Sequence, residues 1–432
     1  MRWRTGLTTR AGILTLALLV ALLAGCGSNA PTTAAGGAAA TTVPATTAPT
    51  AAPTTAAASP SAAAAVPTAA SPAAGSPAAT GPAKPVKIGA VLSLTGAAQV
   101  YGTVQKNGIQ LAVDEINSKN LIPGVQLVPV IEDDASTKDQ GLTAFEKVIK
   151  TDNVTAIIGP TLSNTAVATY PVAQQAGVPT LGISVTASTG ITDTGNEIFR
   201  DSLAEYQVIP VAIKTAKDTL GLKKVAILYG NDDAFTKAGY DVFKKALDDN
   251  GIQITSTQTF AKGDTDFSAQ LTAIKGTNPD AIAVSALINE ATQIVTQARQ
   301  LGIKATIIGG NGFNSPALIK NAGPAAEGVI VGAAWHAGSD TPQNQEFIKN
   351  YKAKFNADPD QFAAQAYAGV YILADAIKRA GPNVDRSSLR DALTQVKNLP
   401  TVLGNFSFLP NRDADYPPVV QIVKDGKFEI FK

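Results

Sequence analysis

Residues Ala156 to Ser188 read A-I-I-G-P-T-L-S-N-T-A-V-A-T-Y-P-V-A-Q-Q-A-G-V-P-T-L-G-I-S-V-T-A-S, and this stretch decides the fold. Ala156–Gly159 is a short apolar run that stops at Gly-Pro, as a buried strand of a parallel sheet does. Ser163, Asn164 and Thr165 then open an apolar helix with short polar side chains of the kind that cap a helix start. Val178 to Ile183 is the next strand, and hydroxyls follow it at Ser184, Thr186 and Ser188. Ligands of open α/β sheets sit at the carboxyl ends of strands, and a helix N-terminus offers unpaired N–H groups to an anion. Two neighbouring strands that both end in hydroxyls therefore predict a cradle for a small carboxylate. The plainer alternative is that these hydroxyls only cap helices and close turns.

The same alternation extends to both sides. Upstream, Val86–Leu92 and Val125–Glu132 read as strands, with helices over Tyr101–Lys119 and Gln140–Thr151. Downstream, a second run of helices and strands begins after Phe199-Arg200-Asp201. Its strands are Lys224–Tyr229, Ile252–Phe260, Ala281–Ser285, Ala305–Gly309 and Val329–Ala334. Its helices are Ala204–Leu220, Thr236–Asn250, Asp266–Lys275 and Ala291–Leu301. Helices then return over Gln343–Phe355, Phe362–Ala380 and Ser387–Val396, before a hairpin turning at Asp425-Gly426. Two βα runs of this length predict two α/β lobes with parallel sheets. A cleft between two such lobes is a favoured place for a small molecule.

The beginning of the chain reads differently. Arg2, Arg4 and Arg10 head an apolar run over Ala11–Ala24, which is too short to span a bilayer and reads as a signal peptide over residues 1–25. It ends at Leu23-Ala24-Gly25-Cys26, and Cys26 is the only cysteine of the chain. Residues 27–83 are almost wholly Ala, Thr, Pro, Ser and Gly. They cannot bury enough apolar surface to offset ordering, and read as a tether that reaches ~40 Å or more. The remaining chain, without the three arginines of the leader, carries 32 basic and 34 acidic residues with no basic cluster, which argues against nucleic acid as a partner. One histidine, His336, and one cysteine exclude a Cys/His zinc site and leave serine hydrolysis a single possible base. No cofactor or metal is expected. Glu132-Asp133-Asp134 reads as an acidic strand end, and Gly309-Gly310-Asn311-Gly312 lacks the third glycine and the lysine of phosphate-binding loops.

Several segments, in order and spacing, resemble one family. They are K-I-G-A-V-L-S-L-T-G from Lys87, Tyr101-Gly102, E-D-D-A-S-T-K-D-Q from Glu132, I-I-G-P-T-L-S from Ile157, P-D-A-I-A-V-S from Pro279, and K-F-N-A-D-P-D-Q-F-A-A-Q-A-Y from Lys354. Leu23–Cys26 is similar to a bacterial lipobox, in which the cysteine is lipidated and becomes the new N-terminus. From Val86 onward the chain resembles the substrate-binding proteins of branched-chain amino-acid ABC transporters, the Leu/Ile/Val-binding group of type I periplasmic-binding-protein folds. The resemblance implies two Rossmann-like lobes joined by a three-crossing hinge, with lobe one over 84–202 and 337–407 and lobe two over 203–336 and 408–432. The crossings are expected at Phe199–Leu203, Ala334–Ala337 and Phe408–Arg412. It further implies a monomer in the bacterial cell envelope, lipid-anchored to the membrane, that passes a small amino acid to ABC permease subunits without catalysing a reaction. The alternatives are a sensory receptor of the same fold and a secreted α/β hydrolase, the latter disfavoured by the single histidine and the lack of a nucleophile motif.

The resemblance also assigns contacts. Ser163, Ser184 and Thr186 are expected at the ligand's carboxylate and ammonium, and Tyr101, Phe362 and Phe235 around its side chain, although the spacing also allows Ala234 for Phe235. Relatives place a glutamate against the ammonium where this chain has Asn311, and a tyrosine where it has Leu287. An amide accepts a hydrogen bond but carries no charge, and charge-assisted bonds are about twice as strong as neutral ones. Glu290, Asp232 or Glu205 is then expected to supply the charge as the lobes close. Otherwise the ligand is a non-amino carboxylate, amide or urea-like molecule.

Overall fold

The computed structural model describes residues 83–432. The expected signal peptide, the lipidated Cys26 and the tether up to residue 82 lie outside the described residues.

The first lobe begins β1 (Lys84–Leu92), α1 (Gln99–Ser118), β2 (Val125–Asp133), α2 (Lys138–Glu146), β3 (Ala156–Ile158), α3 (Ser163–Gln175), β4 (Thr180–Gly182) and β5 (Ile198–Arg200). The five strands are parallel in the order β2-β1-β3-β4-β5. Side chains alternate across a strand, and the core follows that period. Ile88, Ala90 and Leu92 pack with Ile109, Ala112 and Ile116 of α1 on one face. Val91 and Ile157 pack with Phe145 and Tyr170 on the other. Burial on both faces is why these strands read as continuous apolar runs.

The second lobe follows as α4 (Glu205–Leu220), β6 (Lys224–Gly230), α5 (Ala234–Asp249), β7 (Gln253–Phe260), α6 (Ser268–Gly276), β8 (Ala281–Ser285), α7 (Ile288–Gln300), β9 (Thr306–Gly309), α8 (Pro316–Ala322) and β10 (Ile330–Ala333). The chain then returns to the first lobe. There α9 (Pro342–Phe355), α10 (Gln361–Ala380) and α11 (Arg386–Leu393) join the packing around α1, beside a small antiparallel sheet of β11 (Leu399–Thr401), β12 (Gly404–Phe408) and β13 (Ala414–Asp415). A hairpin, β14 (Val419–Lys424) and β15 (Lys427–Ile430), completes the second sheet in the order β15-β14-β10-β9-β8-β6-β7. Its turn residues Asp425 and Gly426 both have positive φ, 51° and 71°, as a two-residue hairpin turn requires. Here too the strands split by period. Ala226, Leu228, Ile282 and Val284 face α6 and α7, and Val225, Ile227, Ala281 and Ala283 face α4 and α5.

Two boundaries differ from the sequence reading. Phe199 and Arg200 belong to a fifth strand, so the first crossing starts at Asp201. The third crossing was expected at Phe408–Arg412, but Ser407 and Phe408 pair with Asp415 and Ala414. The Tyr416 hydroxyl donates to the Asp201 carbonyl at 2.9 Å, which holds the chain on the first lobe until Pro417-Pro418. A run without apolar periodicity gave no sign of this two-residue strand.

A buried ion pair fastens the crossings. Arg200 Nε donates to Asp413 Oδ1 at 2.6 Å, with the side chains 1% and 2% exposed. Thr192, Tyr206 and Asn411 also donate to the Asp413 carboxylate, and Arg200 Nη1 reaches the carbonyls of Ala187 and Val185. Burial pushes the Asp413 carboxyl up, but the bond and charge of Arg200 with the two hydroxyl donors outweigh it, and its pKa lies below the usual value.

Candidate functional site

The carboxyl ends of β1, β3 and β4 meet those of β6, β8 and β9 across one interlobe cavity. Six of the eight expected contacts line it: Tyr101, Ser163, Ser184, Phe235, Asn311 and Phe362, joined by Thr161, Leu162, Asp233, Leu287 and Gly312. It encloses about 20 Å³, room for about one water molecule.

The first-lobe wall is built by hydrogen bonds internal to that lobe. Gln105 Nε2 donates to Ser184 Oγ at 2.7 Å, Ser184 donates to the Thr161 carbonyl at 2.6 Å, and Thr161 donates to Gln105 Oε1 at 2.7 Å. The end of β1 is tied in by Ser93 N–H, which donates to Thr161 Oγ1 at 2.9 Å. Ser163 was expected among the capping residues of α3; it is the helix's first residue, and α3 starts without a side-chain cap. Its Oγ instead accepts the N–H groups of Thr186 and Ala187 at 3.1 and 3.2 Å, so its own proton stays uncommitted. An uncapped first turn leaves N–H groups for an incoming anion. Asp133 and Asp134 serve the same scaffold rather than a cation, accepting from backbone N–H groups and hydroxyls of residues 93–95 and 135–136.

The apolar wall comes from both lobes. Tyr101 and Phe362 stack at a tilt with centroids 4.4 Å apart. Phe235, not Ala234, reaches the cavity from the second lobe, beside Leu287. Thr186 bonds Glu205 across the lobes near the crossings, and Tyr206 and Gln207 bond Asp413 and Ala414 there. Away from the crossings, three further hydrogen bonds join the lobes. Tyr101 Oη donates to the Gly312 carbonyl at 2.7 Å, Gln361 Nε2 to Asn311 Oδ1 at 2.7 Å, and Asn289 Nδ2 to the Ala97 carbonyl at 3.3 Å. Close approach requires glycine at two of these places: a Cβ on Gly102 would lie 2.0 Å from the Ser93 carbonyl oxygen, and one on Gly312 2.3 Å from that of Ala286.

Thr186 and Glu290 do not line the cavity. The Thr186 hydroxyl donates to Glu205 Oε1 at 2.9 Å. Glu290 was expected to close over the ligand, yet its carboxylate accepts the Gly263 N–H of its own lobe at 2.9 Å. Asp232 likewise holds the Lys262 N–H. Of the three acids considered, Glu205 at the first turn of α4 is also absent from the cavity lining but is bonded to the lining residue Asn311. Its Oε1 sits between the Thr186 hydroxyl and the Asn311 N–H, the latter at 3.3 Å, while Oε2 is buried without a hydrogen-bond partner. Burial pushes its pKa up to about 7, against the bonds from Thr186 and Asn311 and the charge of Arg200.

The sequence reading passed over Asp233, Thr161, Gln105 and Gln361. Asp233 caps α5, accepting the Phe235 N–H at 2.9 Å, and its polar turn gave no sign of a wall residue.

Comparison with known proteins agrees with this fold. The model of the family described as periplasmic binding protein matches residues 85–427. A Leu/Ile/Val-binding protein, BraC3, of Rhizobium johnstonii is 32% identical over 75% of this chain and 87% of its own length. A leucine-, isoleucine-, valine-, threonine-, and alanine-binding protein of Pseudomonas aeruginosa is 29% identical over 76% of this chain and 86% of its own. Among solved structures, the branched-chain amino acid transporter substrate-binding protein LivJ of Streptococcus pneumoniae, in complex with isoleucine, superimposes with a TM-score of 0.75 at 30% identity, covering 80% of this chain and 98% of that one. The chain belongs to the periplasmic binding protein family.

Proposed function

We propose that this chain is the solute-binding component of an ABC importer and captures a small amino acid of the branched-chain type between its lobes. The observation that carries this reading is the separation of opposite polarities around one cavity. On one side stand the uncapped start of α3 and the free proton of Ser163, suited to a carboxylate. On the other, bonded to the lining residue Asn311 but not itself in the wall, the Glu205 carboxyl is held between Thr186 and Asn311, suited to an ammonium. Glu205 thus takes over the charge that Asn311 lacks, and Tyr101, Phe235, Leu287 and Phe362 surround the ligand's side chain. The range of the Pseudomonas relative and the isoleucine held by LivJ support the ligand class.

A cavity of about 20 Å³ admits no amino acid, so entry requires the lobes to part and the three bonds away from the crossings to break. The ligand then shifts the population back toward closure by its differential affinity for the closed state. The closed form would dock on the permease as a monomer, and the activity is capture and release without catalysis. The leader and Cys26 support export and lipid anchoring outside the cytoplasm.

The test has two arms. Titration calorimetry with leucine, isoleucine, valine, threonine, alanine, short carboxylates and urea is expected to find micromolar or tighter binding of at least one amino acid. Binding confined to non-amino ligands would refute the reading. Cys26→Ser is expected to move the protein out of the membrane fraction, and retention there would refute the anchor.

A further inference from the structure

Two carboxyl groups are sealed at this site, and the ligand's ammonium accounts for only one. Glu205 stands at the Thr186 end, where the zwitterion's ammonium is placed above. Asp233 enters the wall from the second lobe and is 3% exposed. Its Oδ1 holds the Phe235 N–H, which is all that capping α5 demands. Its Oδ2 is shut off from solvent and has no hydrogen-bond partner among the described residues. A serine would cap this helix about as well, so the second oxygen is surplus to the fold.

Apart from the Ser163 hydroxyl, assigned above to the ligand's carboxylate, the neighbouring hydroxyl donors are committed elsewhere. The hydroxyls of Ser184, Thr161 and Thr186 go to the Thr161 carbonyl, Gln105 and Glu205, and the Tyr101 hydroxyl to the Gly312 carbonyl. Of the other lining residues on this lobe, Phe235 and Leu287 are apolar, Gly312 has no side chain, and the Asn311 amide oxygen is bonded to Gln361. A ligand that brought only methyl groups here would leave a buried acceptor unpaired. Sites built to bond a substrate hydroxyl discriminate against the analogue lacking it for that reason.

We propose that Asp233 makes the site select a small amino acid whose side chain carries a hydroxyl, threonine, over its isostere valine. This rests on the amino-acid reading above and refines it. Size points the same way as chemistry. The aromatic pair Tyr101–Phe362 and the side chains of Phe235 and Leu287 leave little space, and a hydroxyl in place of a methyl adds a donor without adding bulk.

The experiment is titration calorimetry of the full chain with threonine and with valine, repeated on Asp233→Ser. The variant keeps a capping oxygen and deletes the free one. Wild type is expected to bind threonine at least about tenfold tighter than valine, and Asp233→Ser to bring the two within about threefold at an unchanged melting temperature. Should Asp233→Ser melt early, Asp233→Thr replaces it with the same expected collapse. Valine binding wild type as tightly as threonine overturns the proposal and leaves the amino-acid reading standing. A preference that survives the substitution also overturns it, as does an equal loss of both ligands, which would give Asp233 to the ammonium. Failure of every amino acid to bind wild type overturns both readings.

Discussion

Asp413 and Glu205 are both sealed carboxyl groups that feel the charge of Arg200, yet they have opposite surroundings. Asp413 receives donors from Arg200, Thr192, Tyr206 and Asn411, and its pKa is depressed. Glu205 has one oxygen served and one without a partner, and its pKa is raised to about 7. The hinge carboxylate is finished by the fold; on the proposed reading, the cleft carboxyl is completed by the ligand's ammonium. An unpartnered oxygen alone does not mark a ligand contact. Both oxygens of Asp201 lack partners, but the residue is walled in by α10, where a Cβ on Gly369 would lie 2.8 Å from Oδ2. The distinction needs an orphan oxygen on a residue that lines a cavity or is bonded to one that does.

The comparison breaks most visibly at Arg200. Arg200→Met strands a buried carboxylate among its remaining donors, and a loss of about 3–5 kcal/mol in urea unfolding is expected. A loss below about 1 kcal/mol would mean that the ion pair adds no more than an exposed one.

Glu205 sharpens the other side. Its raised pKa gives stability that is full below the unfolded value near 4.5 and lost as pH rises toward about 7, a difference of about 3 kcal/mol. Glu205→Gln is expected to flatten that decline in unfolding measured across this range. Affinity should run the other way. Amino-acid binding to wild type should strengthen from pH 5 to 7 as the carboxyl ionises, and Glu205→Gln should weaken it at pH 8 by about tenfold to hundredfold. Affinity that falls with rising pH would point to a ligand without an ammonium.

The smallest effect is expected at the interlobe contact. Tyr101→Phe removes the bond to Gly312 and keeps the aromatic stack, so closure should lose about 0.5–1.5 kcal/mol. Small-angle scattering of the ligand-free protein would register this as a larger open population, and an unchanged profile would show that the bond does not hold the lobes together.

Much of the fold was legible because burial on both sheet faces writes itself as apolar runs. The hairpin at Asp425-Gly426 was readable because its turn chemistry is local. The convergence of Ser163 and Ser184 followed from strand ends that share one edge. Direction was not legible: once a strand has ended, its period no longer fixes where Thr186 or Glu290 turns. Their partners, Glu205 and Gly263, lie 19 and 27 residues away. Asp233 was hidden because it lies in a polar turn before a helix, and nothing in the sequence says that one of its oxygens is left over from capping. The late third crossing depended on a two-residue strand that only tertiary pairing creates.

The bonds among Gln105, Thr161 and Ser184, and that from Thr186 to Ser163, join parts of a single lobe. Parting the lobes leaves them untouched. Half of the receptor is therefore a rigid template before any solute reaches it, and first encounter and enclosure are separate events. How fast a solute is recognised belongs to the first half, and how long it stays belongs to the second.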